Sequence, residues 1–211
     1  MYGFQILTVF ALAALLVAEH RDSQLGKWIF KPIASIGFVG AAWTAGALGS
    51  AYGQWVLLAL LLSLSGDILL VVEKNQRVFQ AGLVSFLLGH VAFGVAFLLR
   101  GVDAVFGGIA FILLIGPSII TARWLIPKLP REMRVPVGAY IAVITAMVVL
   151  AVATHGNHAA HWIPLGALLF YLSDLTVARD RFVHKAFVNR LFGLPLYYGA
   201  QLLLALSALN G

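Results

Sequence analysis

The stretch Gln54–Glu73, QWVLLALLLSLSGDILLVVE, holds only two charges, Asp67 and the terminal Glu73. Twenty residues of helix rise about 30 Å, the thickness of a bilayer's hydrocarbon core. A soluble helix would keep one polar face. Here the leucines fall on every side, so the solvent for this segment is lipid.

The same pattern recurs on both sides of it. Apolar runs near 2–19, 29–49, 54–73, 78–99, 102–124, 135–153, 162–178 and 186–208 predict eight transmembrane helices. The 211 residues are 62% hydrophobic and 10% charged, against about 25% charged in an ordinary soluble domain. The expected fold class is all-α, a polytopic membrane helix bundle, with residues 1–211 as a single transmembrane domain. The length leaves no room for a separate soluble domain. The first run, Tyr2 to Ala18, lacks the basic start of a signal peptide. Glu19-His20-Arg21 follows it in place of a small-residue cleavage site, so it reads as a retained helix. The chain has no cysteine, which excludes disulfides and thiolate metal sites.

The charges orient the bundle. Arg21, Lys27 and Lys31 follow span one, and Lys74 and Arg77 follow span three. Arg123, Lys128, Arg131 and Arg134 follow span five, and Arg179, Arg181, Lys185 and Arg190 follow span seven. These alternate connections hold 13 of the 14 Lys and Arg residues, Arg100 being the exception. The positive-inside rule puts them in the cytoplasm and both termini outside. The net charge of +6 thus flanks membrane spans and gives no sign of a nucleic-acid partner. Pro117 and Pro195 fall inside spans five and eight, where local kinks are expected.

Two carboxylates lie where lipid makes them costly. Asp67 is about six residues, or ~9 Å, from the cytoplasmic end of span three. Asp174 is five residues before Arg179 in span seven, at nearly the same depth. A charged Asp at the centre of a membrane helix costs roughly 2.5–3.5 kcal/mol, and such residues face a cavity or a partner. Other polar groups reach this zone. Ser63 is one turn from Asp67, Ser173 adjoins Asp174, and Lys31 stands at the cytoplasmic end of span two. Tyr140 and His90 lie inside spans six and four, and Tyr197, Tyr198 and Gln201 share span eight. A lone His or Tyr in a membrane helix is as readily an interhelical hydrogen bond, and Lys31 taken alone reads as a snorkelling anchor. Together, on six helices, they read as a polar pocket open toward the cytoplasmic leaflet. His155, His158 and His161 have regular spacing but sit in an outer loop with no carboxylate beside them. No metal site is expected there.

Ser65-Gly66-Asp67-Ile68-Leu69 in span three is similar to Leu172-Ser173-Asp174-Leu175-Thr176 in span seven. Four spans separate them, as a weak 4+4 internal repeat would require.

These residues also carry a family resemblance. Lys31-Pro32 opens span two, and Ser65-Gly66-Asp67-Ile68-Leu69-Leu70 lies in span three. Gly82-Leu83-Val84-Ser85-Phe86-Leu87-Leu88-Gly89-His90 follows, then Tyr140 with Met147. Last come Gly166-Ala167-Leu168-Leu169-Phe170-Tyr171-Leu172-Ser173-Asp174 and Tyr197-Tyr198-Gly199-Ala200-Gln201. In order and spacing the chain resembles the YhhN family of membrane proteins over nearly its whole length. Phe93 stands where that family often has Tyr, and Leu196 where a Thr is expected. Neither departure touches the carboxylates.

Characterised members of the family are lysoplasmalogenases. The resemblance therefore implies hydrolysis of a lysoplasmalogen's vinyl ether to a fatty aldehyde and a glycerophospho-alcohol, in a bacterial inner membrane. The expected partners are a lysophospholipid substrate and membrane lipids, with no cofactor and no metal. A vinyl ether hydrolyses by protonation at its outer carbon, giving an oxocarbenium ion that water captures. Two carboxyl groups in different protonation states suit that chemistry, as in glycosidases. Asp67 and Asp174 are expected to divide these roles. Tyr140, Tyr197, Tyr198, Gln201 and His90 would orient water or the ester oxygens, and Lys31 would meet the phosphate. The rival reading is a small proton-coupled carrier, since paired intramembrane carboxylates also serve proton relays.

Overall fold

The computed structural model describes residues 2–72, 75–156 and 162–210. Among them are eight α-helices: α1 (Gly3–His20), α2 (Gln24–Thr44), α3 (Ala51–Leu70), α4 (Gln76–Arg100), α5 (Ala104–Leu125), α6 (Arg131–Ala153), α7 (Trp162–Phe182) and α8 (Phe187–Leu206). No strand occurs among the described residues. Six helices (α1, α3, α4, α5, α6 and α8) are long and apolar enough to cross a membrane. Helices α2 and α7 are as long, at 21 residues each. The polar groups they carry, Lys27 and Lys31 in one and Asp174 and Arg179 in the other, lower their hydropathy.

Side-chain caps set several helix starts. Ser23 accepts from the Gly26 amide and Ser50 from the Gly53 amide. Asn75 and Asp103 each accept two first-turn amides. These contacts satisfy N–H groups that a helix start otherwise leaves open.

The helix bounds depart from the expected runs at several places, three of which bear on the site. Helix α2 begins at Gln24 and ends at Thr44, shifted toward the N-terminus from the expected 29–49. The Ser23 cap starts it early, and Gly46 stops it by adopting a left-handed φ of 85°, the usual glycine stop. Lys31 therefore sits two turns inside the helix rather than at its edge. Helix α3 stops at Leu70, three residues past Asp67. Helix α7 runs to Phe182, eight past Asp174. The two carboxylates thus lie at unequal distances from their helix ends.

Neighbouring helices pack as α1–α2, α2–α3, α3–α4, α4–α6, α6–α7 and α7–α8, and α8 returns to α1, α2 and α3. Six of them, α2, α3, α4, α6, α7 and α8, close a ring. The core between them holds Phe38, Phe93, Phe170 and Tyr198, each almost fully buried. Helix α5 leans on α6 from outside. Its Ile112 and Leu113 are 72% and 67% exposed, a surface suited to lipid tails rather than water. Pro117 and Pro195 lie inside continuous helices.

Close approach at Gly53 joins α3 to the short turn Ala47–Gly49. A Cβ on Gly53 would collide with the Ala47 carbonyl oxygen, whereas one on Gly116 would meet nothing within 4 Å. Gly53→Ala should therefore destabilise the detergent-purified protein by about 1–3 kcal/mol, read as a lowered thermal midpoint. Gly116→Ala should leave that midpoint unchanged or raised.

Candidate active site

One cavity of about 250 Å³ lies among α2, α3, α4, α5, α6, α7 and α8. It is lined by both carboxylates, by Lys31, Tyr140, Ser173 and Tyr197, and by apolar residues including Leu83, Phe86, Val137 and Ile144. Arg181, Lys185 and Arg190, from the end of α7 through the start of α8, also line it. The cavity therefore reaches the end of the bundle that carries the basic connections.

Asp67 is 2% exposed and surrounded by donors. The Lys31 ammonium is 3.3 Å from its Oδ1. The Tyr197 hydroxyl donates to Oδ2 at 2.6 Å, and the Ser35 hydroxyl donates to the same oxygen at 2.7 Å. Tyr198 supports the group from behind by donating to the Lys31 carbonyl at 3.2 Å. Lys31, expected to meet a phosphate, is instead 6% exposed with its charge against Asp67. The early start of α2 brings it level with the end of α3.

Asp174 has a different environment. The Tyr140 hydroxyl donates to its Oδ2 at 2.7 Å, and His90 Nε2 lies 3.4 Å from the same oxygen. That His90 contact is of ion-pair length but lacks hydrogen-bond geometry. The other ring nitrogen, Nδ1, is 2.6 Å from the Phe86 carbonyl. A carbonyl only accepts, so Nδ1 carries a hydrogen.

Aromatic rings connect the neighbours of the two carboxylates. Phe170 contacts His90 at 4.4 Å and Tyr197 at 5.5 Å between centroids. Phe86 packs edge-on against both Phe170 and Tyr197.

Four expected residues stand outside the cavity lining. Ser63 is buried, but its hydroxyl bonds the Ala59 carbonyl in its own helix and faces Gly89 of α4. His90 and Tyr198 act from behind, through Asp174 and Lys31. Gln201 is fully buried one turn past Tyr197 in α8. His155 packs on Phe106, whereas His158 and His161 lie outside the described residues. No group of three His, Asp or Glu side chains that could hold a metal occurs among the described residues.

Sequence reasoning missed Ser35 and Asp180. A serine in an apolar helix commonly bonds its own backbone, and Ser35 also lies within reach of the Lys31 carbonyl. Asp180 lies two residues past the expected end of span seven. It is 7% exposed and accepts from the Ala186 amide, the Asn189 side chain and the Arg190 guanidinium. Arg190 also reaches Glu19 of α1 at 3.7 Å. This network fixes the turn between α7 and α8, and with it the cavity's mouth.

Fold and site define an all-helical, multi-pass membrane protein with two carboxylates, a lysine and tyrosines facing one inner cavity. The chain belongs to the YhhN family, which it matches over residues 26–208. It is similar to a Bos taurus protein named Lysoplasmalogenase TMEM86A, with 32% identity over 161 residues, covering 74% of this chain and 65% of that one. The Homo sapiens protein named Lysoplasmalogenase TMEM86B is 32% identical over 171 residues, covering 81% and 70%. A Mycobacterium tuberculosis protein named Lysoplasmalogenase is 29% identical over 149 residues, covering 69% and 55%. The chain thus spans just under two thirds of the bovine relative's length. No solved structure matches it.

The Lys31–Asp67 contact yields a stability prediction. Breaking a buried pair leaves one charge uncompensated, at about 3–5 kcal/mol, while removing both charges costs far less. Lys31→Met should lower the thermal midpoint in detergent more than Lys31→Met combined with Asp67→Asn. Equal midpoints would mean that the pair is not coupled.

Proposed function

We propose that this protein is a lysoplasmalogenase, hydrolysing the vinyl ether of a lysoplasmalogen to a fatty aldehyde and a glycerophospho-alcohol. The observation that carries the reading is that two carboxylates share one cavity in unlike surroundings, Asp67 beside a lysine and two hydroxyl donors and Asp174 beside one tyrosine hydroxyl and a histidine. Family membership and the names of the relatives support it.

Every polar contact described for Asp67 comes from a donor. Those contacts suit the ionised carboxylate, which only accepts. Asp174 is the proton source, together with His90. Because His90 Nδ1 gives its hydrogen to the Phe86 carbonyl, a neutral ring would turn a bare lone pair toward Asp174. One proton, held by Nε2 or by the carboxyl, removes that repulsion.

In the proposed reaction this proton moves to the outer vinyl carbon, leaving positive charge on the ether carbon and oxygen. Water adds to the ether carbon and gives its surplus proton to Asp67. The hemiacetal then collapses. Its hydroxyl proton returns to the Asp174–His90 pair, the bond from the ether carbon to the glycerol oxygen breaks, and Asp67 protonates that oxygen. Protons balance over the cycle, and no cofactor enters it. Tyr140 and Tyr197 hold the two carboxyl groups in place. Ser173 lines the wall beside Asp174.

A cavity of about 250 Å³ is smaller than sites that enclose drug-sized ligands, at roughly 300–1,000 Å³. It fits the reacting end of a lysolipid, with the alkenyl chain running out among the helices toward lipid. All eight helices span the bilayer in this reading, with both termini outside and the mouth at the cytoplasmic leaflet of a bacterial inner membrane. The basic connections gathered at one end of the bundle support that orientation. A 4+4 repeat is supported by the way the halves exchange partners. Asp67 of α3 is met from α2 and α8, and Asp174 of α7 from α6 and α4.

Purified protein in detergent should release aldehyde from lysoplasmalogen and leave the saturated-ether analogue intact. A carrier would return both lipids unchanged. Asp67→Asn and Asp174→Asn should each lower the turnover by about 10²–10⁴-fold while remaining monodisperse. Near-normal turnover in both variants would sink the two-carboxylate mechanism.

A further inference from the structure

Three basic side chains at the cavity's mouth, Arg181, Lys185 and Arg190, have no part in the chemistry above. Arg190 has a structural task, since its guanidinium is forked onto Asp180 and also reaches Glu19. Arg181 and Lys185 are exposed and line the same cavity as Asp174.

Arg181 is placed with some accuracy. It follows Asp174 by seven residues on α7. Seven residues are about two turns, so both side chains leave the same face of the helix, with a rise of about 10.5 Å between them. Long side chains on a helix lean toward its N-terminus, which tips the Arg181 guanidinium back toward Asp174. Helix α4 steadies it there. The guanidinium carbon lies 4.2 Å from the centre of the Phe79 ring, and Nη2 donates to Gln76 Oε1 at 3.4 Å. Stacking engages the face of the guanidinium, while its five N–H donors lie in its plane. That edge is the part of arginine that matches phosphate oxygens.

We propose that Arg181 and Lys185 form the subsite for the phosphodiester of a glycerophospholipid, the substrate's own phosphate. The assignment deepens, and rests on, the lysoplasmalogenase reading. With the vinyl ether at Asp174, the glycerol backbone runs along α7 and its phosphate reaches the exposed, hydrated mouth. Lys31, deep in the bundle against Asp67, is not available for that task. The subsite reads the phosphate and not the group beyond it, so lipids with different amino-alcohol headgroups share it.

The test compares kcat/KM for a lysoplasmalogen with that for the phosphate-free 1-alkenylglycerol, both in detergent. The ratio of the two should fall roughly ten-fold or more in Arg181→Gln/Lys185→Gln, as expected for lost charge-assisted hydrogen bonds. The loss should appear in KM more than in kcat. Lys128→Gln, which removes a cation stacked on Trp124 away from the cavity, should leave the ratio unchanged. An unchanged ratio in the double variant would overturn the subsite. So would an effect seen only as a lost dependence on anionic phospholipid in nanodiscs, because the phosphate read would then be a bilayer lipid's. If the native protein cleaves neither vinyl ether, the enzymatic reading fails by itself. The subsite is then judged by binding of a saturated-ether lysophospholipid and its dephosphorylated monoalkylglycerol, followed by tryptophan fluorescence. Preference for the phospholipid that the double variant loses upholds the subsite, and equal binding overturns it.

Discussion

The contact between Lys31 and Asp67 is the one on which the rest of the site depends. Neither charge has access to bulk water, and each would be costly alone in a low-dielectric bundle. Holding them together sets the depth of α2 against α3. It also needs further donors, since one ammonium does not satisfy a carboxylate. Ser35 supplies one from α2 and Tyr197 another from α8. Three helices are thereby pinned to one side chain, and the ring of helices closes around it.

The second carboxylate is held differently, and that contrast makes the pair chemically interesting. Asp174 is less buried, has a tyrosine and a histidine as neighbours, and is described with no lysine or arginine contact. Phe170 packs on a neighbour of each, His90 beside one and Tyr197 beside the other. None of the neighbours described for one carboxyl group also serves the other. Two like groups in one cavity can then hold different protonation states, which acid and base chemistry at a single substrate requires.

Charge is layered along the cavity. The deepest cation is matched to a carboxylate, and so is Arg190 near the mouth, where Asp180 and Glu19 receive it. The outermost basic groups of the lining, Arg181 and Lys185, are exposed. This order follows from solvation. Charges far from water must be paired within the protein, whereas exposed ones also keep their contact with water. Asp180 has a second consequence, because it ties the turn after α7 to the start of α8. The mouth therefore has a defined shape rather than a loose loop.

Much of this was legible in the residues alone. Long runs apolar on all sides allow only helices in lipid, and eight helices are present near the expected positions. The cost of an intramembrane carboxylate singled out Asp67 and Asp174, and both line one cavity. Hydropathy could not find the true start of α2, because its first turns are polar and are set by the Ser23 cap. It therefore placed Lys31 at a helix edge, and so at a phosphate, instead of inside against Asp67. Nor could it see that Ser63 turns to its own backbone while the equally ordinary Ser35 turns to Asp67. Periodicity says that a side chain is inward but not which neighbour it meets. The sequence by itself determined the solvent, the helices and the two costly carboxylates, since these follow from local composition and transfer energies. Only the tertiary structure decided which donors surround each carboxylate, and hence how the two differ, because those contacts join residues up to 130 positions apart.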